Sequence, residues 1–358
     1  MAYKITDSDH FLGFVNFCKD KLTNHEMQGW ISSDYSIQAQ KDIPELLDEI
    51  AKKYRKERLN NGALNIESEE VRFVLDKNGD PTGVKIKTSQ DAHKLVEEFM
   101  LLANKTVAKF FKKSKADSLN QNMIYRVHDK PDESKIEQLK VYLDKFGIDL
   151  GKSDIHHLSK SLNTMLHGLK GKNEFNFIQS LVIRSMSKAS YDVKNIGHYG
   201  LSFSDYTHFT SPIRRYADLV VHRLLEEKLT VKNPDLSTDL IEVSKHISRT
   251  EKKASEAERD SVKFFQTIYL LDSIGEVFNG TVSGIAEHGL YVRMDDNYCE
   301  GMVAISEIPG DRYYFDFDKF CIVGAKTKNE FSFGQRVCVR IFEINPMKRH
   351  IDLELLLE

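Results

Sequence analysis

Two adjacent arginines, Arg214 and Arg215, follow Ser211 and Pro212 in the stretch His198 to Leu225, HYGLSFSDYTHFTSPIRRYADLVVHRLL. The pattern predicts a helix capped by Ser211, with Pro212 at its first position and both arginines in its first turn. A cation there opposes the helix dipole. Free backbone N–H groups and guanidinium groups converging on one point form an anion pocket, and phosphate is the natural occupant. The competing reading is an exposed arginine pair without a ligand, or a salt bridge to Asp218 one turn on. His198, His208 and His222 are separated by 10 and 14 residues, which fits no common zinc pattern. His222 follows Asp218 by four residues, so a hydrogen bond between the two is expected instead.

The elements that must position these residues are mostly helices. Segment 42–58 has apolar residues at helical spacing, VRFVL reads as a strand, DKNGDP as a turn and TGVKIKT as the returning strand. A long helix follows from Asp91, with an expected apolar stripe of Leu95, Val96, Phe99, Met100, Ala103, Val107 and Phe110. Further helices are expected at 133–146, 154–168 and 174–189. The Ser211 helix should end near Leu229, and a long charged helix near Asp272.

From Gly275 the pattern changes to short alternating runs broken by Gly, Asn and Asp. Five segments (GEVFNGTVSGI, GLYVRM, EGMVAISEI, QRVCVRIFEIN and HIDLELL), with a longer excursion before the fourth, suit a five-stranded OB barrel. The fold class is therefore α+β, a helix-rich part followed by a β-barrel.

Composition narrows the function classes. Over 358 residues, 41% hydrophobic and 29% charged content describe a globular chain of two or three domains. No apolar run is long enough to span a membrane, and the start, MAYKITDSDHFLGF, has no signal-peptide character, so a cytoplasmic location is expected. Cys18, Cys299, Cys321 and Cys338 form no CxxC pair, which supports neither a disulfide framework nor a zinc site. A net charge of −3 excludes a globally basic nucleic-acid binder, so any RNA site must be a local basic groove.

GHYGL and YTHFTSPIRRYADLVVHR resemble the signature segment of the ribonuclease II / ribonuclease R family of 3′→5′ exoribonucleases, closest to the ribonuclease R branch. GALNIESEEVRFVLDKNGDPTGV (Gly62 to Val84) and DAHKLVEEFMLLANKTVAKFF (Asp91 to Phe111) agree with this, and the last 80 or so residues resemble an S1-type RNA-binding domain. The resemblance covers roughly residues 40 to 356. It implies an unassigned segment at 1–40, a partial RNB catalytic domain at 41–273 and an S1-type OB domain at 274–358.

For the site, the resemblance implies that Arg214 stabilises charge on the scissile phosphate, with Arg215 the weaker candidate for steering the backbone. It implies that Glu256 or Glu258 contacts the 3′-terminal nucleotide or orients the arginine, although a solvated charged face is an equal reading of that helix. Phe73 matches an aromatic that stacks on bases, against core placement beside Val71 and Leu75. Glu97 or Glu98 would meet a ribose 2′-hydroxyl, and Tyr199 belongs with the RNA contacts. In the barrel, His288, Tyr291 and Arg349 fall where S1-type domains contact RNA. Ala304 replaces a usual histidine, and 14 acidic against 9 basic residues from Gly275 onward weaken phosphate attraction.

The family's chemistry uses closely spaced aspartates that hold Mg²⁺. No such cluster is legible here: Asp7/Asp9 and Asp76/Asp80 are sparse and lie in other contexts. The resemblance therefore implies an exoribonuclease acting on single-stranded RNA and releasing nucleoside 5′-monophosphates, present as a chain that is inactive alone. The alternative is a non-catalytic RNA-binding or adaptor protein that uses the same channel and barrel. A weaker third is a helical scaffold whose barrel binds protein.

Overall fold

A computed structural model describes residues 37–66, 70–87, 89–112, 123–150, 155–172, 174–230, 239–317 and 319–357. Expectations for residues 1–36, including Asp7, Asp9 and Cys18, lie outside the described residues. The chain divides into two compact units, Met1–Arg55 and Lys56–Glu358. In the first, the described residues belong to helix α1 (Ile37–Asn60), which carries an exposed-side Asp48–Lys52 ion pair one turn apart.

In the second unit, β1 (Glu70–Leu75) and β2 (Pro81–Lys87) form an antiparallel hairpin. Its turn is closed by Asp76, whose Oδ1 accepts the N–H groups of Asn78 and Asp80 at 2.8 and 2.9 Å. These bonds hold the Asp76 carboxyl below its usual range. The Asp76/Asp80 pair is thus turn chemistry.

Helix α2 (Asp91–Lys112) follows. Its buried positions are Glu98, Leu101, Asn104, Ala108 and Phe111, while Val96 and Phe110 are 54% and 40% exposed. The apolar stripe predicted from sequence is therefore rotated from the true inner face. Two of the five inward positions are polar, and polar residues carry no weight in a hydrophobic count. Arg58 accounts for one of them: its guanidinium donates to Glu98 Oε1 at 2.5 Å, with both side chains buried.

Helices α3 (Glu133–Lys145), α4 (Ile155–Leu169) and α5 (Phe175–Ser185) close around Leu143, Leu158, Leu162 and Ile178. Helix α5 ends four residues before the expected boundary because Met186 turns extended. Strand β3 (Tyr125–Val127) pairs antiparallel with β4 (Ser190–Asp192). This pair shares a second core with α2, α6 (Tyr216–Thr230) and α7 (Leu240–Tyr269), through Ile124, Val221 and Ile247 among others.

The last part is the expected barrel. Strands β5 (Val277–Ala286), β6 (Gly289–Met294), β7 (Glu300–Ala304), β11 (Arg336–Asn345) and β12 (His350–Leu356) close in the order β11-β12-β7-β6-β5. Only the β12–β7 contact in this closed sheet is parallel. Bulges at Val282/Gly284 and Ile341/Glu343 supply the bending that closure needs. The excursion forms a small sheet of its own, β8 (Tyr313–Asp316), β9 (Cys321–Gly324) and β10 (Glu330–Phe331). The fold class is α+β.

Candidate RNA-binding site

The loop from Tyr206 to Arg215 is held from every side. Arg126 N donates to Tyr206 O at 3.0 Å, and the Thr207 hydroxyl donates to Ile124 O at 2.7 Å, so the loop runs along β3. Asn104 reaches it from α2: its Oδ1 accepts Phe209 N–H at 2.9 Å and its Nδ2 donates to Tyr206 Oη at 3.1 Å. His222 Nε2 donates to Phe209 O at 2.8 Å while its ring stacks on Phe209 at 4.0 Å. The expected His222–Asp218 bond is not formed, because the stacked ring turns His222 toward the Phe209 carbonyl.

Beneath the loop lies a set of buried and half-buried rings. Tyr191 Oη and His208 Nδ1 share a hydrogen bond of 2.7 Å. Burial, then Arg215 and Arg126, push the His208 pKa down to about 2. Burial and the neighbouring His128 push His198 down to about 3. His128 accepts Gly200 N–H on Nδ1 and donates from Nε2 to Ser187 O. A Cβ at Gly200 would sit 2.9 Å from that Nδ1, so only glycine fits. These histidines act as neutral rings of a structural network, and none is presented as a metal ligand.

The arginines differ sharply. Helix α6 begins at Tyr216, so Ser211 and Pro212 are not its cap and first position. Residues 211–215 instead form a turn in which Ser211 O accepts from Arg214 N and Arg215 N. Asp218, fully buried, reaches back and fixes that turn. Its Oδ1 accepts Ser211 N–H at 2.7 Å and Arg215 Nη2 at 2.8 Å. Arg215 is thereby committed to Asp218. The Arg214 side chain is exposed and, among the described residues, has neither a hydrogen bond nor an ion pair.

A groove of about 540 Å³ opens beside Arg215, lined by His93, Val96, Glu97, Met100, Asn104 and Tyr206 among others. It brings Glu97 and Arg215 together on mostly apolar walls. Glu98 is taken out of consideration by its buried pairing with Arg58, whereas Glu97 stays half exposed, 3.6 Å from Arg58 Nη2.

The other candidates stand elsewhere. Phe73 packs its ring 6.0 Å from those of Phe265 and Tyr269, which matches the core alternative. Glu256 and Glu258 are exposed on α7, where Glu256 lies 4.0 Å from Lys252. Tyr199 is half-buried, and its hydroxyl accepts from Ser159 at 2.8 Å. Arg349 pairs with Asp260 of α7 at 2.9 Å, tying the β11–β12 turn to the helical part. His288 and Tyr291 share a hydrogen bond of 2.9 Å, and Gly284 leaves room for the Tyr291 ring, which a Cβ would approach to 3.2 Å. Tyr291 also lines a cleft facing Lys135, Tyr142 and Arg184 of α3 and α5.

Comparison with known proteins gives this arrangement its context. The RNB domain model matches residues 3–231. The chain belongs to the RNB family. An S1 RNA binding domain model matches residues 271–356, the span of the barrel. Ribonuclease R of Aquifex aeolicus is 32% identical over 94% of this chain and 48% of its own length. Ribonuclease R of Thermotoga maritima is 38% identical over 87% of this chain and 44% of its own. Mycoplasma genitalium RNase R, also solved in complex with ribose methylated single-stranded RNA, superposes with a TM-score of 0.80 at 26% identity, covering 92% of this chain and 52% of that one. The chain thus spans about half the length of these RNB-family relatives.

Asn104, Asp218 in its loop-holding role, His128 and Tyr191 were not singled out from sequence. Asn104 had one detectable signal, a polar residue at helical spacing between Leu101 and Ala108. Among the described residues no three histidines, cysteines or carboxylates stand together as a metal-binding group.

Proposed function

We propose that this chain is the RNA-holding part of a 3′→5′ exoribonuclease of the ribonuclease R type, which takes single-stranded RNA and releases nucleoside 5′-monophosphates. The observation that carries the reading is the Arg214 guanidinium, exposed and, among the described residues, without a hydrogen bond or ion pair, on the turn whose other arginine, Arg215, lines the groove that contains Glu97. Arg214 meets a phosphate of the 3′-terminal linkage, where a planar fork suits two phosphoryl oxygens. Arg215 lends its charge to the groove wall while held by Asp218. Glu97 accepts from a ribose 2′-hydroxyl, which favours RNA over DNA. Val96 and Met100 give the sugar and base an apolar surface. The barrel adds His288 and Tyr291 as a stacking surface.

Hydrolysis also needs an activated water, and the described residues offer no carboxylate set to bind the metal that would supply it. Our reading is that the chain alone binds RNA without cleaving it.

The test is fluorescence anisotropy with end-labelled single-stranded RNA between 50 and 200 mM salt. Wild-type protein should bind with steep salt dependence, and Arg214→Ala should bind more weakly with a shallower slope. Absence of RNA affinity at low salt would overturn the reading and favour a scaffold whose barrel binds protein.

A further inference from the structure

The β1–β2 hairpin has two faces of opposite character. Val71, Phe73, Val84 and Ile86 are partly buried, and Phe73 packs on α7. The other face carries Arg72, Val74, Lys85 and Lys87, all exposed. In the strand register Arg72 stands directly opposite Lys85, and Lys87 stands opposite Glu70. Like charges directly across an antiparallel pair destabilise it. Arg72, Lys85 and Lys87 thus place positive charge on the outer face of a two-stranded ribbon.

This face is continuous with the candidate site. Arg72, Lys85, Lys87, Gln90 and His93, together with Phe73, Val74 and Ile86, line one groove of about 470 Å³. His93 also lines the groove that holds Glu97 and Arg215. The two grooves therefore meet at the first turn of α2. From His93 to Asn104 the helix rises about 16 Å, so the joined path is longer than one nucleotide. Its chemistry changes along its length. The hairpin end is cationic and open, and the α2 end is apolar with a carboxylate and an arginine. An extended polyanion would lay its phosphates on the first and its terminal nucleoside in the second.

We propose that the outer face of the β1–β2 hairpin, through Lys85 and Lys87 with Arg72, is a phosphate-guiding wall. It leads single-stranded RNA past His93 into the groove beside Arg215. This rests on the proposed RNA-holding function. It adds a contact several nucleotides upstream of the 3′ end, carried by a different element from Arg214.

The experiment uses the full chain and the double variant Lys85→Gln/Lys87→Gln, with Arg214→Ala alongside. Each is titrated with a labelled trinucleotide and with a strand of about ten nucleotides, a length within the usual site sizes for single-strand binders. For the longer strand the double variant should lose affinity roughly tenfold, and its salt slope should fall by about 1.4, the value for two lost single-strand phosphate contacts. Its trinucleotide affinity should match wild type. Unchanged affinity and slope on the longer strand, with Arg214→Ala still impaired, would overturn the hairpin wall and leave the proposed function standing. Equal losses on both lengths would also overturn it, because the lysines would then act at the terminal groove. Failure of wild-type protein to bind either strand would overturn both readings.

Discussion

Arg215 and the fully buried Asp218 form an ion pair in which one carboxylate oxygen takes both the guanidinium, at 2.8 Å, and the Ser211 N–H, at 2.7 Å. A single side chain thereby sets the turn and decides which of two adjacent arginines remains available. Removing one member of a buried pair leaves the other charge without compensation. Asp218→Ala should cost about 3–5 kcal/mol of stability, read by urea denaturation. It should also weaken RNA binding beyond Arg215→Ala alone, because the turn presenting Arg214 loses its anchor. Equal RNA affinity in folded Asp218→Ala and wild-type protein would contradict the anchoring role.

Asn104 connects α2 to the same loop. Asn104→Leu keeps the volume approximately but strands Phe209 N–H and removes a donor from Tyr206. Two buried polar groups deprived of partners predict a loss of about 2–4 kcal/mol. Faster amide exchange confined to 206–210 would locate the effect.

Glu97 and Glu98 are neighbours with opposite fates. Glu98→Gln removes the charge that compensates buried Arg58 and should lower the thermal midpoint substantially. Glu97→Gln should leave the midpoint within a degree or two of wild type. It should reduce the preference for RNA over the same sequence in DNA, measured by competition binding. The reverse pattern would exchange the assigned roles.

The depressed histidines make stability depend on pH. His198 and His208, at about 3 and 2 in the fold, both titrate near 6.5 when unfolded. Between those values the unfolded chain binds more protons, so stability is complete above about pH 6.5 and declines as the pH falls. From pH 7 to pH 5 each of these two histidines should remove roughly 1–2 kcal/mol. Denaturation at the two values should show the decline, and His208→Gln should lessen it.

The elements with a clean period were legible in the sequence. The hairpin at 70–87, α2, α3, α4 and the five barrel strands fall within a few residues of where alternation and helical spacing put them. The inner face of α2 was not legible, since Glu98 and Asn104 are buried by partners distant in sequence, Arg58 and Tyr206. The start of α6 was misread because Ser211-Pro212 has the composition of a helix start. A long-range carboxylate, Asp218, holds it as a turn instead. For the candidate site, the arginine pair was visible by type and spacing. Their division into one guanidinium held by Asp218 and one exposed guanidinium depends on a side-chain contact that no local pattern encodes. Arg349 and Phe73 show the converse, with partners on α7 that only the tertiary arrangement supplies.

The most direct test of the central claim follows single-stranded RNA, labelled at its 5′ end, incubated with the purified chain and Mg²⁺, with EDTA and Arg214→Ala as controls. The account predicts RNA that stays intact yet is bound, with affinity lowered in the variant. A ladder shortening from the 3′ end, abolished by EDTA and by Arg214→Ala, would contradict it and show that this chain holds a complete active site.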